Sequence, residues 1–177
     1  MTNPVTSLKE WKTYRAELRA ALTALQLVPL RAGLRADAWT PRQVLHHVLL
    51  VDASSADLLE RLVSKAGAVS ERDPGDPWPF HAELMDFPLD TAFSVPAFRG
   101  TEPKLDVSDR VLRDLEASTL RRHVSLAEHA DRFRLEGVVF PHPLAGKLNF
   151  YEWLVFGGIH ESLHLTQLKR DVGRDSL

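Results

Sequence analysis

Apolar residues recur every three to four positions in four stretches of the chain, and each stretch opens on a helix-start signal. Ser7 and Glu10 have capping-box spacing ahead of Trp11, Tyr14, Leu18, Leu22 and Leu25, predicting a first helix from about Leu8 to Gln26. Thr40, Pro41 and Gln43 make the clearest start, an N-cap, a proline at the first helical position and a capping amide. From there Val44, Val48, Val51, Ser55, Leu58 and Leu62 keep one face until Gly67 ends the second helix. A third opens at Asp106 or Ser108 and carries Val111, Leu115, Leu126 and Ala130, with Ser118, Thr119 and Arg122 interrupting the stripe. Asn149 and Glu152 cap a fourth, which runs through Trp153, Phe156, His160, His164 and Leu168 toward Arg170, with Gly146 marking a turn upstream. No stretch alternates strongly enough to predict a strand. The fold class expected is all-α, a four-helix bundle forming a single domain over residues 1–177.

The connection between helices two and three, about residues 68–105, has a different texture. Six prolines fall between Pro74 and Pro103, and Asp73–Pro74–Gly75–Asp76–Pro77 is a dense turn signal. A neighbour-to-neighbour hairpin does not need this length, whereas a crossover between parallel helices does. Trp78, Phe80, Phe87, Phe93 and Phe98 are too apolar for a solvated linker, so the segment is expected to pack over one end of the bundle.

Composition narrows the chemistry. The 177 residues contain no cysteine, which excludes disulfides and thiolate metal sites and leaves imidazole and oxygen as ligands. Met1 to Lys9 lacks the apolar run of a signal peptide, and no stretch has the roughly 18 apolar residues of a membrane span. A cytoplasmic protein without a membrane partner is therefore expected. A formal charge of −2 gives no global attraction to nucleic acid, and Arg121–Arg122–His123 reads as a solvated face.

The histidines are the most informative side chains. His160 and His164, four apart on a helix, bring their Cβ atoms within about 5–6 Å and can share one ion. Eight histidines would give about 0.35 such pairs by chance, so the pair alone decides little. A third ring strengthens it. Helix two holds His46 and His47, and the stripe of Val44, Val48 and Val51 predicts that His47 faces inward while His46 lies nearer solvent. An unpartnered imidazole in a core costs about 1–3 kcal/mol, and a metal shared between facing helices satisfies all three rings. His142, in a His-Pro turn, is expected to bond backbone groups, and His81, His123 and His129 to be solvated. Trp39 and Trp153 are expected as core anchors at helix starts. Gln167, three residues past His164, is read equally as a contact at the site's edge or as an ordinary helix former. Glu161 and Asp52 are not placed on the ligand face, so no general base is assigned.

These residues resemble the DinB/YfiT-like superfamily of bacterial four-helix bundles. The likeness rests on Trp39–Thr40–Pro41 with His47 eight positions after the tryptophan. It continues in His142–Pro143–Leu144–Ala145–Gly146–Lys147–Leu148–Asn149, leading to Trp153, His160-x-x-x-His164 and Leu165 to Leu168. It covers about Leu8 to Arg170 in helix order and crossover placement; Asp73 to Pro103 carries no motif of the family. The resemblance implies that His47, His160 and His164 bind one divalent ion.

Three neutral imidazoles leave at least one coordination position open, and they suit zinc and nickel best, iron or manganese less decisively. By resemblance the ion would take up a low-molecular-weight thiol as thiolate, for attack on a small electrophilic substrate. The expectation is a metal-dependent thiol S-transferase or a hydrolase, its pocket shaped by the proline-rich loop and its chains pairing as a homodimer. The alternatives are a non-catalytic small-molecule-binding or stress-response module whose ion captures a ligand, and an ion that only fastens helices two and four.

Overall fold

The computed structural model describes residues 5–30, 38–79 and 100–173. Among these the chain is mostly helical, with α1 over Leu8–Leu25, α2 over Pro41–Lys65, α3 over Asp109–Arg132 and α4 over Phe150–Asp171. A two-stranded antiparallel hairpin, β1 (Val139–His142) and β2 (Gly146–Asn149), stands before α4. The hairpin departs from the expectation of helices alone. Its strands are four residues each, too short for alternation to register in the sequence. His142 pairs with Gly146 across a three-residue loop, and Gly146 has a φ of 75°, the left-handed conformation such loops require.

The helix starts follow the caps. The Ser7 hydroxyl accepts from Glu10 N–H, and full capping boxes form at Thr40–Gln43 and Asn149–Glu152. Ser108, rather than Asp106, caps α3. On that helix Leu112 is buried, while Val111 is 45% exposed and does not belong to the core face.

Contacts at the helix ends give their relative directions. Arg42 in the first turn of α2 donates to Val107 O just before α3. At the far ends, Arg72 N–H donates to Arg132 O and Arg134 N–H to Ser70 O, so α2 and α3 run the same way. Helix α1 runs with α4, since Trp11 Nε1 donates to Leu154 O at 3.0 Å and Arg15 and Arg19 reach Glu161. Two glycines permit that approach. A Cβ on Gly157 would stand 2.2 Å from Arg15 Nη1, and one on Gly158 2.3 Å from the Tyr14 ring.

The core divides into two apolar blocks. One joins Trp11, Leu59, Trp78, Leu126, Phe150, Tyr151 and Leu154; the other joins Leu22, Val44, Val48, Leu49, Leu112 and Leu168. Between these blocks every helix carries buried polar residues: Arg15 on α1, Asp52 on α2, Thr119 and His123 on α3, Glu161 and His164 on α4. Trp78 packs as expected, its ring 5.7 Å from Tyr151 and its Nε1 donating to Asp131. Phe80, His81, Phe87, Phe93 and Phe98 lie outside the described residues. No helix among the described residues is long and apolar enough to cross a membrane.

Candidate metal centre

Helix α2 presents His47 seven residues past its N-cap, and α4 presents His160 and His164 on adjacent turns of one face. Their ring centroids are 4.6–5.3 Å apart, and one nitrogen from each ring lies within 4.8 Å of the others. The three histidines are therefore close enough to hold a metal ion. The Nε2 atoms of His160 and His164 stand 3.2 Å apart, near the roughly 3.3 Å that two tetrahedral nitrogen ligands at 2.0–2.1 Å would show.

The outer nitrogens support that use. His47 Nδ1–H donates to Thr101 O at 2.7 Å, and His164 Nδ1–H donates to Gln167 Oε1 at 2.9 Å. Each bond fixes a tautomer whose Nε2 lone pair faces the common point, as metal-bound histidines require. His160 Nδ1 is buried and makes no hydrogen bond among the described residues. Burial depresses all three, reinforced at His160 and His164 by the neighbouring rings: His164 to about 4, His160 well below its ordinary value, and His47 downward with Thr101 O and Glu102 opposing the shift. Neutral rings are the form that binds a cation.

Trp39 stands with its ring 5.0 Å from His47, a half-buried wall to the cluster. Trp153 belongs elsewhere. It donates to Phe140 O and, with Phe156, packs against the His142 ring. His142 Nδ1 accepts from the backbone N–H groups of Leu144 and Ala145, the turn role read from its sequence context. Gln167 does touch the site.

Three readings are corrected. His46 is not near solvent; it is 2% exposed, and its Nδ1 accepts from Lys104 N–H. Both histidines of α2 are covered because residues 101–104 lie across its first turns, burying a flank that periodicity assigns to water. His123 is also buried, at 3% exposure, with Nδ1 bonded to Thr119 O and Nε2 to the Ser55 hydroxyl. The solvated reading of its neighbour Arg122 is replaced by ion pairs to Asp57 and Glu60.

Asp52 and Glu161 form, with Arg15 and Arg19, a buried quartet of two cations and two anions beside the histidines. Arg15 Nη2 donates to both Asp52 oxygens at 2.9 and 3.0 Å, Arg15 Nε lies 3.0 Å from Glu161 Oε2, and Arg19 reaches both carboxylates. Burial alone would raise the pKa of Asp52, but Arg15, His123 and Arg19 hold it at about 2. Glu161 moves the opposite way, because burial and the Asp52 charge outweigh the arginines. Sequence reading missed this quartet, although Arg15 interrupts the apolar row of Trp11, Leu18 and Leu22, a signal that a counter-charge lies opposite. A groove of about 730 Å³ between α1 and α3 opens over Arg15, Asp52 and His123, flanked by Trp11, Leu120 and Val124. It does not include the three histidines.

No protein-family model matches the chain, and neither a curated protein nor a solved structure matches it.

Proposed function

We propose that the protein is a metal-dependent enzyme of the DinB/YfiT-like kind, acting on a small electrophilic substrate with a low-molecular-weight thiol or with water. The single observation that carries the reading is the convergence of three neutral imidazoles from α2 and α4, two of them with Nδ1 committed to an oxygen acceptor. The common direction of α2 and α3 supports a four-helix bundle in which residues 68–105 are the crossover.

His47, His160 and His164 would hold one divalent ion, zinc or nickel by ligand type. When bound, such an ion supplies Lewis acidity, lowering the pKa of a coordinated thiol or water toward neutrality. Thr101 O and the Gln167 side chain keep two rings aimed, and Trp39 screens His47 from water on one side. The test is metal analysis of the purified protein, followed by consumption of an electrophile with and without added cellular thiols. Thiol-dependent turnover that disappears on chelation supports the enzyme.

One observation favours a second reading, a module that captures a ligand without turnover. Asp52, whose charge acts on His160, and Glu161, the chain neighbour of His160, are both engaged by arginines, so neither is available as a general base. One equivalent of thiol bound per metal with no product formed would identify the capture module.

A further inference from the structure

We propose that the groove between α1 and α3 is a second ligand site, one that takes an uncharged apolar molecule ending in an amide. Ala16 and Ala20, one turn apart on α1, are exposed and end at Cβ, so they cannot fill the space toward α3. On α3, Leu120 is 57% exposed and Val124 is half-buried. With Trp11 these side chains wall a volume of about 730 Å³, inside the roughly 300–1,000 Å³ range of small-molecule pockets.

Two charge pairs cross from one helix to the other and bracket the apolar stretch. Lys12 Nζ lies 2.9 Å from Glu128 Oε1, and Arg19 Nη1 lies 3.9 Å from Glu116 Oε1. Lys12 and Arg19 are seven residues apart, about 10 Å along the helix, which is room for two fused rings and one substituent. On the floor, Arg15 and Arg19 are balanced by Asp52 and Glu161. An ionic ligand would therefore give up its hydration without finding a counter-charge to spare. A neutral body is the electrostatic complement of this groove.

The two bracketing pairs differ, and the difference sets the polar end of the ligand. Lys12 and Glu128 touch, whereas 3.9 Å is too long for a hydrogen bond. Arg19 commits Nε and Nη2 to Asp52 and Glu161, and its Nη1 donates to no group among the described residues. One turn further along α1, Thr23 also lines the groove, and its buried hydroxyl has no hydrogen-bond partner among the described residues. A free donor on α1 thus faces a free carboxylate on α3. An amide matches both, its carbonyl accepting from Arg19 Nη1 and its N–H donating to Glu116. A carboxylate would be repelled by Glu116, and an ammonium by Arg19.

Titration of the full chain with naphthalene-2-carboxamide, naphthalene-2-carboxylate and 2-naphthylmethylammonium tests the site. The amide should bind at least about tenfold tighter than either charged analogue, the worth of one hydrogen bond to a charged partner. Glu116→Gln should remove the repulsion and bring the carboxylate level with the amide or above it. Ala16→Phe, at an exposed helical position, should fill the groove and abolish amide binding, while zinc binding and helix content stay as in wild type. His160→Ala should bind the amide as wild type does, which separates this site from the metal reading. A carboxylate or ammonium that binds wild type more tightly, or an amide that binds Ala16→Phe undiminished, overturns the proposal. So does an absence of amide binding; a wild-type dimer that Ala16→Phe dissociates would then show that a second copy covers the groove.

Discussion

His160 Nε2 and His164 Nε2 stand 3.2 Å apart with a third imidazole, His47, within 4.8 Å. Neutral rings that direct lone pairs at one another across such a gap repel unless a proton or a cation lies between them. Burial disfavours an added proton, because each ring's pKa is depressed. That leaves a neutral His160 Nε2–H donating to His164 when no ion is bound, and a cation when one is.

Protons should compete with the metal only at low pH. A metal already bound to the folded protein should survive from neutrality to about pH 5 and be lost near pH 4, where His164 gains its proton. Metal retained after desalting over a pH series measures this; loss that is half complete at pH 6.5 would show ordinary, unburied histidines.

The metal-free protein should also lose stability with acid. His123 and His142 are held at about 4 by burial, against an ordinary value near 6.5 in the unfolded chain. Between those values the unfolded state binds more protons, so stability rises with pH over that window and is fully regained above 6.5. Asp52 extends the loss downward: its folded pKa of about 2 lies below the ordinary 3.8, so its contribution is present above 3.8 and disappears as pH falls through 2. Thermal midpoints that stay flat from pH 7 to pH 4 would contradict the histidine contribution, and midpoints that stay flat from pH 4 to pH 2 would contradict that of Asp52.

Arg15→Ala should be among the most damaging single changes. It leaves the buried Asp52 with only Arg19 and the fully buried Glu161 with less compensation. Removing one member of a buried ion cluster costs about 3–5 kcal/mol, roughly 10 °C or more in the melting midpoint of a chain this size. Gly157→Ala should act through the same group, since its Cβ would collide with an Arg15 guanidinium already fixed by two carboxylates. Its cost should be about 1–2 kcal/mol after the helix-propensity gain of alanine. Denaturant midpoints of the two variants check the order.

Gln167→Ala should weaken metal binding about tenfold while leaving the melting point of the metal-free protein nearly unchanged. The side chain is half-buried and, among the described residues, bonds the outer nitrogen of His164. Competition with a chelator of known affinity reads the effect.

The parts of this fold that local chemistry dictates are legible in the sequence. Thr40–Pro41–Gln43 and Asn149–Glu152 announce their helices because capping depends on residues three apart. His160 and His164 announce a pair because one helix turn separates them. What depends on long-range packing is not legible. His46 is hidden by residues from 101 onward, and His123 by its bond to Ser55 on another helix. The inward face of α2 also carries Asp52, Ala56 and Leu59 where an apolar stripe would place Ser55, Leu58 and Leu62. An aspartate reads as solvent-facing until Arg15 is known to meet it, which is why the quartet stayed out of sight while its neighbours did not.

Zinc titration of the metal-free protein, followed by calorimetry, tests the central claim most directly. Wild type should bind about one zinc per chain and melt roughly 5–10 °C higher at about a hundredfold excess over Kd. His47→Ala, His160→Ala and His164→Ala should each abolish that binding while His46→Ala retains it. A wild type that binds no zinc, or a His164→Ala variant with undiminished affinity, would contradict the account.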